Sequence, residues 1–389
     1  MSTPPRATPG TEHLLALARS RRERDVARLH GYVVRETPTG DAAALDALAD
    51  ALVADAAGVA MVGRRLPLPH GDAVLLEHPG RGARAAEEPA LLLAHHDTVH
   101  AHGSLAGVVP WYEENGVLHG PGVYDMKGGV VVALAALELL AELGLDHRPV
   151  RLLVTPDEEI GSPTSRELVV AHTAGAAFAL GLEAPHPDGR LKTSRRGSTR
   201  VRLTVTGRAS HAAVAPELGV SAVDELVDQL LAVRALVATH PDVLCNVGTL
   251  TGGGRTNVVP DAASADLGLR FVTGATEREV LAELAALRPV RAGAHVEATV
   301  LSSRPAWGPS DAAEDLLARV AAAAGPLGLV VEGAAAPGAA DTNLTGAAGL
   351  PSLDGFGPRG GGAHAVTEHV VLDSLAERSA LLAAVLAEV

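Results

Sequence analysis

The chain has 389 residues, of which 47% are hydrophobic and 20% are charged, a composition that excludes a disordered protein and indicates a globular one. Its length favours two domains, because single hydrophobic cores rarely extend beyond about 250–300 residues. The formal net charge of −14 argues against nucleic acid or an anionic membrane surface as a partner.

Cysteine content and hydropathy indicate the cellular compartment in which the protein is expected. The single cysteine excludes an internal disulfide, which fits a reducing cytoplasm. The N-terminal sequence has no apolar signal core, and no run approaches the roughly 18 apolar residues of a transmembrane helix. We therefore expect a cytoplasmic protein without a membrane span.

The first part of the chain alternates between predicted helices and predicted buried strands. Helical periodicity covers residues 12–52, and small and branched apolar residues predict a buried helix at 128–143. Short apolar runs, which are typical of buried parallel strands, occupy residues 90–94, 150–155 and 177–182.

The pattern changes near residue 194, where alternating polar and apolar residues begin. From there the predicted order is β-α-β-β-α-β, which is typical of a ferredoxin-like domain. We predict an inserted domain at residues 194–303, and a discontinuous domain formed by residues 1–193 and 304–389. After the insertion, helices are expected at 312–323 and 374–387 and a strand at 329–331.

Acidic and histidine residues follow the predicted buried strands at the points where they end. Ligands of open α/β sheets bind outside the carboxyl ends of such strands. Carboxylates that converge there repel one another unless a cation offsets their charge. Two histidines and several acids without cysteine suit zinc, manganese or cobalt, so this set indicates a two-metal hydrolase. The residues concerned are His95, Asp97, Asp125, Glu158, Glu159, Glu183 and His364.

The order of these motifs resembles that of the dizinc carboxypeptidase and aminoacylase family. This family includes glutamate carboxypeptidases, aminoacylases, acetylornithine deacetylases, succinyl-diaminopimelate desuccinylases and peptidase T. The resemblance covers nearly the whole chain, and the segment at residues 353–364 is closest to the glutamate-carboxypeptidase-like branch. It implies an α/β fold: a zinc-exopeptidase-like catalytic domain with a mixed central sheet flanked by helices, plus the inserted α+β ferredoxin-like domain as lid and dimerisation domain.

The resemblance also implies two metal sites that share one carboxylate. His95, Asp125 and Glu183 would hold one ion. Asp125, Glu159 and His364 would hold the other. The two divalent ions are expected to be Zn²⁺, with Co²⁺ or Mn²⁺ as alternatives.

Three further residues near these ligands receive roles from the same resemblance. Glu158 matches the general base, and Asp97 matches the acid that orients His95 and fixes its tautomer. His96 is expected to point away from the metals, in a structural or solvent role. A cis peptide is expected after Asp125.

The inserted domain matches the family in residues that would contact substrate. His211 matches a lid histidine that reaches the active site of the partner subunit and polarises the scissile carbonyl, which implies a homodimer. Asn257, Arg270 and Arg304 match groups that hold the free carboxylate of the substrate, for which the planar guanidinium is suited. For Arg304 an ion pair at a domain hinge is the alternative.

The sequence departs from the family pattern at Ala213, after the lid histidine, and at Ala340, before Asp341. Both changes lie in substrate-binding motifs and leave the metal ligands intact, so they bear on substrate identity. For the remaining histidines we expect surface or loop positions: His70, His78, His100, His102, His119 and His369.

Together these features predict a dimetal-dependent amidohydrolase. It would use metal-bound hydroxide, with Glu158 as general base, to cleave the amide bond of N-acyl amino acids or of C-terminal residues in small peptides and conjugates with a free α-carboxylate. The sequence does not distinguish a carboxypeptidase from an N-deacylase, because both activities hydrolyse the same kind of amide bond. A dedicated biosynthetic hydrolase that removes an amino acid or acyl group from an intermediate is an alternative. A non-catalytic dimeric binding protein is disfavoured, because the base and every ligand position are filled.

Overall fold

The protein is described from a computed structural model, which covers residues 10–389. The chain divides into two compact units. The first comprises the residues up to Ser194, together with Pro309–Ala336 and Ala340–Val389. The second comprises Arg195–Gly308 and Pro337–Ala339.

Helices and strands alternate along the chain. The α-helices are α1 (Leu14–Ser20), α2 (Arg22–Val33), α3 (Ala42–Ala57), α4 (Gly128–Leu143), α5 (Arg166–Thr173), α6 (Ala222–Ala238), α7 (Gly274–Ala285), α8 (Asp311–Ala324), α9 (Thr342–Ala347) and α10 (Leu372–Glu388). The strands are β1 (Val62–Leu66), β2 (Ala73–His78), β3 (Ala90–His95), β4 (Tyr112–Glu114), β5 (Val117–His119), β6 (Val150–Thr155), β7 (Phe178–Gly181), β8 (Leu191–Arg195), β9 (Gly197–Thr206), β10 (Leu244–Gly252), β11 (Ala262–Phe271), β12 (His295–Arg304), β13 (Gly333–Ala336), β14 (Ser352–Asp354), β15 (Gly360–Gly361) and β16 (His369–Val371).

An eight-stranded mixed sheet, in the order β1-β2-β6-β3-β7-β14-β8-β13, runs through the first unit. Its central strands β6, β3, β7 and β14 are parallel neighbours. Every residue of β3 is buried, which explains its uninterrupted apolar sequence. Because the parallel strands end at the same edge, the loops that follow β3, β6 and β7 lie close together there.

Helix α4 starts against the end of β7, and this contact fixes the loop before the helix. Gly129 allows the approach, since a Cβ atom on it would lie 2.1 Å from the carbonyl oxygen of Leu182. The helix is buried along most of its length and packs on α10. The loop that contains Asp125 is thereby held beside the residue that follows Leu182, which is Glu183.

The second unit is an antiparallel sheet in the order β10-β11-β9-β12, with α6 and α7 in contact with it. Val201, Leu203 and Val205 alternate toward the buried side of β9. The element order is the predicted β-α-β-β-α-β. The predicted fold class is confirmed for both units.

Two details differ from the sequence-based expectations. No strand forms at residues 329–331, where Val330 is 89% exposed; the edge strand is β13 instead. Gly328 has a left-handed backbone and ends a turn there, and Leu329 and Val331 after it are partly buried against the core without pairing as a strand. Arg304, assigned by the expected boundary to the first domain, is the last residue of β12 in the second unit, because the strand continues up to Pro305.

No helix within residues 10–389 has both the length and the apolarity needed to cross a membrane.

Candidate metal centre

His95, the last residue of β3, is fixed in its ring orientation by Asp97. Its Nδ1 lies 3.0 Å from the Asp97 carbonyl oxygen and 3.2 Å from Asp97 Oδ1. Since these oxygens only accept, Nδ1 carries the proton and Nε2 keeps its lone pair for a metal. Nε2 faces Asp125 Oδ1 at 3.1 Å and Glu183 Oε1 at 3.4 Å.

The same Asp97 carboxylate, which is fully buried, also organises the turn after β6. Its two oxygens accept the backbone N–H groups of Glu158 and Glu159, each at 3.2 Å. The hydroxyl of Thr39 donates to it at 2.9 Å. One carboxylate therefore aligns a metal-facing histidine with the two acids that follow the neighbouring strand.

Asp125 presents one carboxylate oxygen to each of two groups of side chains. Oδ1 faces His95, and Oδ2 lies 3.3 Å from His364 Nε2. His364 Nε2 is also 3.0 Å from Glu159 Oε2. The peptide between Asp125 and Met126 is cis, as expected.

The backbone before Asp125 is held by Glu368, a residue to which the sequence analysis gave no role. Its buried carboxylate accepts the N–H groups of Gly122 at 3.0 Å, Tyr124 at 2.9 Å and Asp125 at 3.0 Å. His100 Nε2 lies 2.5 Å from the same carboxylate. His100, for which a surface or loop position is expected, lies in a loop, where its contact with Glu368 makes it part of the framework of the site.

His364 has a left-handed backbone, with φ of 61°. Non-glycine residues rarely adopt this conformation, and such conformations cluster at functional sites. Its side chain is about half exposed, whereas that of Glu159 is buried. The open side of the site is therefore on the side of His364.

The donor atoms form two sets, each with atoms within 4.8 Å of one another: His95, Asp125 and Glu183, and Asp125, Glu159 and His364. Nitrogen and oxygen ligands bind zinc at about 2.0–2.2 Å, so facing donors some 3.0–3.4 Å apart can close on one ion. Glu159 Oε1 is buried without a hydrogen-bond partner among the described residues. This orphaned oxygen fits a metal ligand.

The electrostatics also fit cations. Burial, together with nearby Asp125, raises the pKa of Glu159 to about 7. The hydrogen bond that His364 donates to the Asp125 carboxylate raises the pKa of His364 to about 9. The shift of His364 reports the negative charge of the surrounding carboxylates, and that of Glu159 reports mainly its burial. Divalent ions would offset the charge of such buried carboxylates.

Glu158 follows β6 and is buried at the same site. It lines a small cavity together with His95, Met126, Glu183 and Asp341. The adjacent Asp157 stabilises the turn, because its carboxylate accepts the backbone N–H of Thr164 at 2.7 Å and the hydroxyl of that residue at 2.6 Å. Of the three consecutive acids, Asp157 therefore has a structural position, and Glu158 and Glu159 face the site.

In the second unit, His211 and Asn257 lie on adjacent segments, since Ala212 N–H donates to the Asn257 carbonyl at 3.0 Å. His211 Nδ1 accepts the N–H groups of Ala213 and Val214, at 3.2 and 3.1 Å. A nitrogen that accepts is unprotonated, so the proton of the neutral ring lies on Nε2. His211 is exposed and offers an N–H donor to solvent.

Arg270 and Arg304 lie on the two strands that flank Ser198. Both are register partners of Ser198, Arg270 on β11 and Arg304 on β12, so their side chains emerge on one face of the sheet. Arg270 donates to the Ser198 hydroxyl and to the Leu269 carbonyl, the latter at 3.2 Å. The register thus places the two arginines on either side of Ser198.

Comparison with known proteins places the chain in a family. Residues 91–388 match Peptidase family M20/M25/M40. Carboxypeptidase G2 of Pseudomonas sp. (strain RS-16) is 30% identical over 356 residues, which are 88% of this chain and 84% of that protein.

Solved structures share the fold. One is an aminopeptidase from Bacillus cereus, with a TM-score of 0.71 and 18% identity, covering 94% of this chain and 98% of that one. Another is a dinuclear metal-binding peptidase from Bacillus subtilis, with a TM-score of 0.67 and 15% identity, covering 95% and 98%. The predicted resemblance is confirmed: the chain belongs to the M20/M25/M40 peptidase family and is a metallopeptidase-type amidohydrolase.

Proposed function

We propose that this enzyme hydrolyses the amide bond of N-acyl amino acids, or of C-terminal residues in small peptides and conjugates, when the product amino acid carries a free α-carboxylate. The observation that carries the proposal is the position of Asp125, whose two oxygens face two separate sets of metal-ligating atoms. A carboxylate shared in this way suits a dinuclear centre.

Two divalent ions, which we propose to be zinc, would supply Lewis-acid activation of water and of the amide carbonyl. His95, Asp125 and Glu183 would hold the first, and Asp125, Glu159 and His364 the second. Asp97 would keep His95 in the tautomer that leaves Nε2 available.

Glu158 would act as the general base that takes the proton from the attacking water and passes it to the leaving nitrogen. Its burial beside the metal ligands supports this role, since proton transfer requires a group within hydrogen-bond reach of the reacting atoms. Its neighbour Glu159 is committed to a metal. The two glutamates therefore divide base and ligand duties.

Arg270, with Arg304 and Asn257, would bind the α-carboxylate of the substrate. The positions of Arg270 and Arg304 on either side of Ser198 support this role, because a planar guanidinium group can bind a carboxylate through two hydrogen bonds. A relative that matches most of this chain is called a carboxypeptidase, a name for enzymes that release a residue with a free carboxylate.

His211 would donate its Nε2–H to the developing oxyanion in the active site of the partner subunit, so that a homodimer is the active form. Strand β10 is an edge strand that exposes Leu244 and Leu250, and helix α6, which contacts it, exposes Val227 and Leu231. An exposed apolar edge of this kind suits a second copy of the chain.

Cross-subunit catalysis is tested by mixing two inactive variants, His211→Ala and Glu158→Ala, under conditions in which subunits exchange. Mixed dimers contain one site with both residues intact, so part of the activity should return. Absence of rescue, with exchange demonstrated by differently tagged subunits, would exclude the cross-subunit role.

Substrate class is tested with matched pairs of N-acyl amino acids and their α-amides. We expect the free acids to be cleaved and the α-amides to be poor substrates. Equal rates on both members of each pair would contradict the proposal that the carboxylate is recognised.

A further inference from the structure

A second cavity lies in the first unit, away from the residues of the metal centre. Its volume is about 320 Å³, within the range of small-molecule sites. It is bounded by the turn at residues 188–190, by residues 329–332 and by one side of α10. None of the residues that line it belongs to either metal-ligating set.

Two of the three arginines at this cavity are already paired. Arg190 contacts Asp188 at 2.7 Å, and Arg359 contacts Glu377 at 2.8 Å. Both of these pairs are partly exposed, so solvent also contributes to their stability.

Arg378 is different. It is 7% exposed, and no carboxylate within residues 10–389 lies at ion-pair distance from it. Its Nη2 donates to the Gly189 carbonyl at 2.7 Å, which uses only part of the donor capacity of a guanidinium. Burial, with nearby Arg359, lowers the pKa of Arg378 to about 10, and Glu377 offsets only part of this effect.

One wall of the cavity is apolar, formed by Leu329, Val331 and Leu381. The lining also contains three acids: Asp188 and Glu377, which are the partners of Arg190 and Arg359, and Glu332. The apolar residues 329–331 do not pair as a strand, although their composition predicts one. A buried cationic donor beside an apolar wall is complementary to a molecule with an anionic head and an aliphatic body.

We propose that this cavity binds a small organic acid, whose carboxylate pairs with Arg378 and whose aliphatic chain packs against Leu329, Val331 and Leu381. The site is separate from the proposed catalytic function and does not depend on it. Arg359, whose side chain borders the same turn, would add a second positive charge near the carboxylate.

The test is calorimetric titration of the metal-loaded protein with hexanoate, and with hexylamine as a probe of opposite charge. We expect saturable binding of hexanoate and none of hexylamine. Arg378→Met should weaken the binding about ten- to hundredfold, as expected for loss of a charged hydrogen bond. Arg190→Met, which removes an already paired arginine at the rim, should change it less than about twofold, within the small effect of exposed pairs.

Any binding of hexanoate at the metal centre would be equal in wild type and Arg378→Met. The difference between the two titrations therefore measures binding at the cavity alone. Equal titrations in folded wild type and Arg378→Met would overturn the proposal, as would the absence of hexanoate binding to wild type. Arg378→Lys, which keeps the charge and a donor for Gly189, provides the comparison if Arg378→Met fails to fold. If the affinity for hexanoate is then unchanged in both Arg378→Lys and Arg359→Met, the proposal is overturned.

Discussion

The carboxylate of Glu368 accepts the backbone N–H of Asp125 at 3.0 Å, and Asp125 is the residue shared by the two metal-ligating sets. The same carboxylate accepts two more N–H groups of this loop and contacts His100. Glu368 lies four residues after His364, so one short segment supplies a metal-facing imidazole and the support of the shared ligand.

We predict that Glu368→Gln weakens metal binding. The amide group replaces one acceptor oxygen with a donor, which leaves a buried backbone N–H of the loop without its partner. Loss of such an outer partner typically lowers metal affinity about 10–100-fold. Competition with a chelating indicator measures this directly, with the exposed Glu88→Gln as the matched control. Unchanged affinity in Glu368→Gln would show that the loop does not need this support.

The neighbours Glu158 and Glu159 should respond differently to the same substitution. Glu158→Gln should retain two bound metals while kcat falls about 10²–10⁴-fold, the usual contribution of a general base. Glu159→Gln should lose affinity for one of the two ions. Metal analysis and steady-state kinetics on both variants distinguish the roles, and a loss of metal in Glu158→Gln would mean that the assignments are reversed.

Arg270→Met is predicted to raise KM for substrates with a free α-carboxylate by about ten- to hundredfold, because a hydrogen bond to a charged group contributes roughly 1.5–3 kcal/mol. For the α-amide of the same substrate KM should stay the same. Arg270→Lys should be intermediate, since an ammonium group cannot form the bidentate contact. An equal effect on acid and amide would assign Arg270 a structural role.

Acid stability should depend on His78. Burial, with nearby His147, lowers the pKa of His78 to about 4, and its Nδ1 accepts the Gly80 N–H at 3.0 Å. Between about pH 6.5 and 4 the unfolded chain binds the extra proton, so the contribution of this residue to stability is lost as pH falls through that range.

His78→Asn offers an acceptor for the Gly80 N–H and does not titrate there. Its urea midpoint should therefore fall less than that of wild type between pH 7 and 4, with similar midpoints at pH 7. Parallel decreases in the two proteins would contradict the prediction.

The residues of the two sets that could hold metals were recognisable from the sequence because each ends an apolar strand or lies in a short motif, and the motifs keep their order. The bounds expected for the helix at residues 128–143 agree with the structure, because its apolar composition matches burial along most of its length. In both cases the signal is local and continuous in sequence.

Other features depend on contacts between distant segments. Glu368 lies in a short polar segment. From sequence alone, a glutamate there that accepts buried N–H groups cannot be distinguished from a glutamate exposed to solvent. His100 acquires its position only through that residue. Residues 329–331 have the branched, apolar composition of a strand, but they line a cavity and Val330 is exposed.

The central claim is that two divalent ions, bound through Asp125, are required to hydrolyse amides of α-carboxylate-bearing amino acids. The most direct test strips the protein with a chelator and titrates zinc, cobalt or manganese back, while bound metal and hydrolysis of a panel of N-acyl amino acids and dipeptides are measured. The account predicts no activity in the stripped protein and recovery that is complete at two equivalents per chain. Full activity without metal, or saturation at one equivalent, would contradict it.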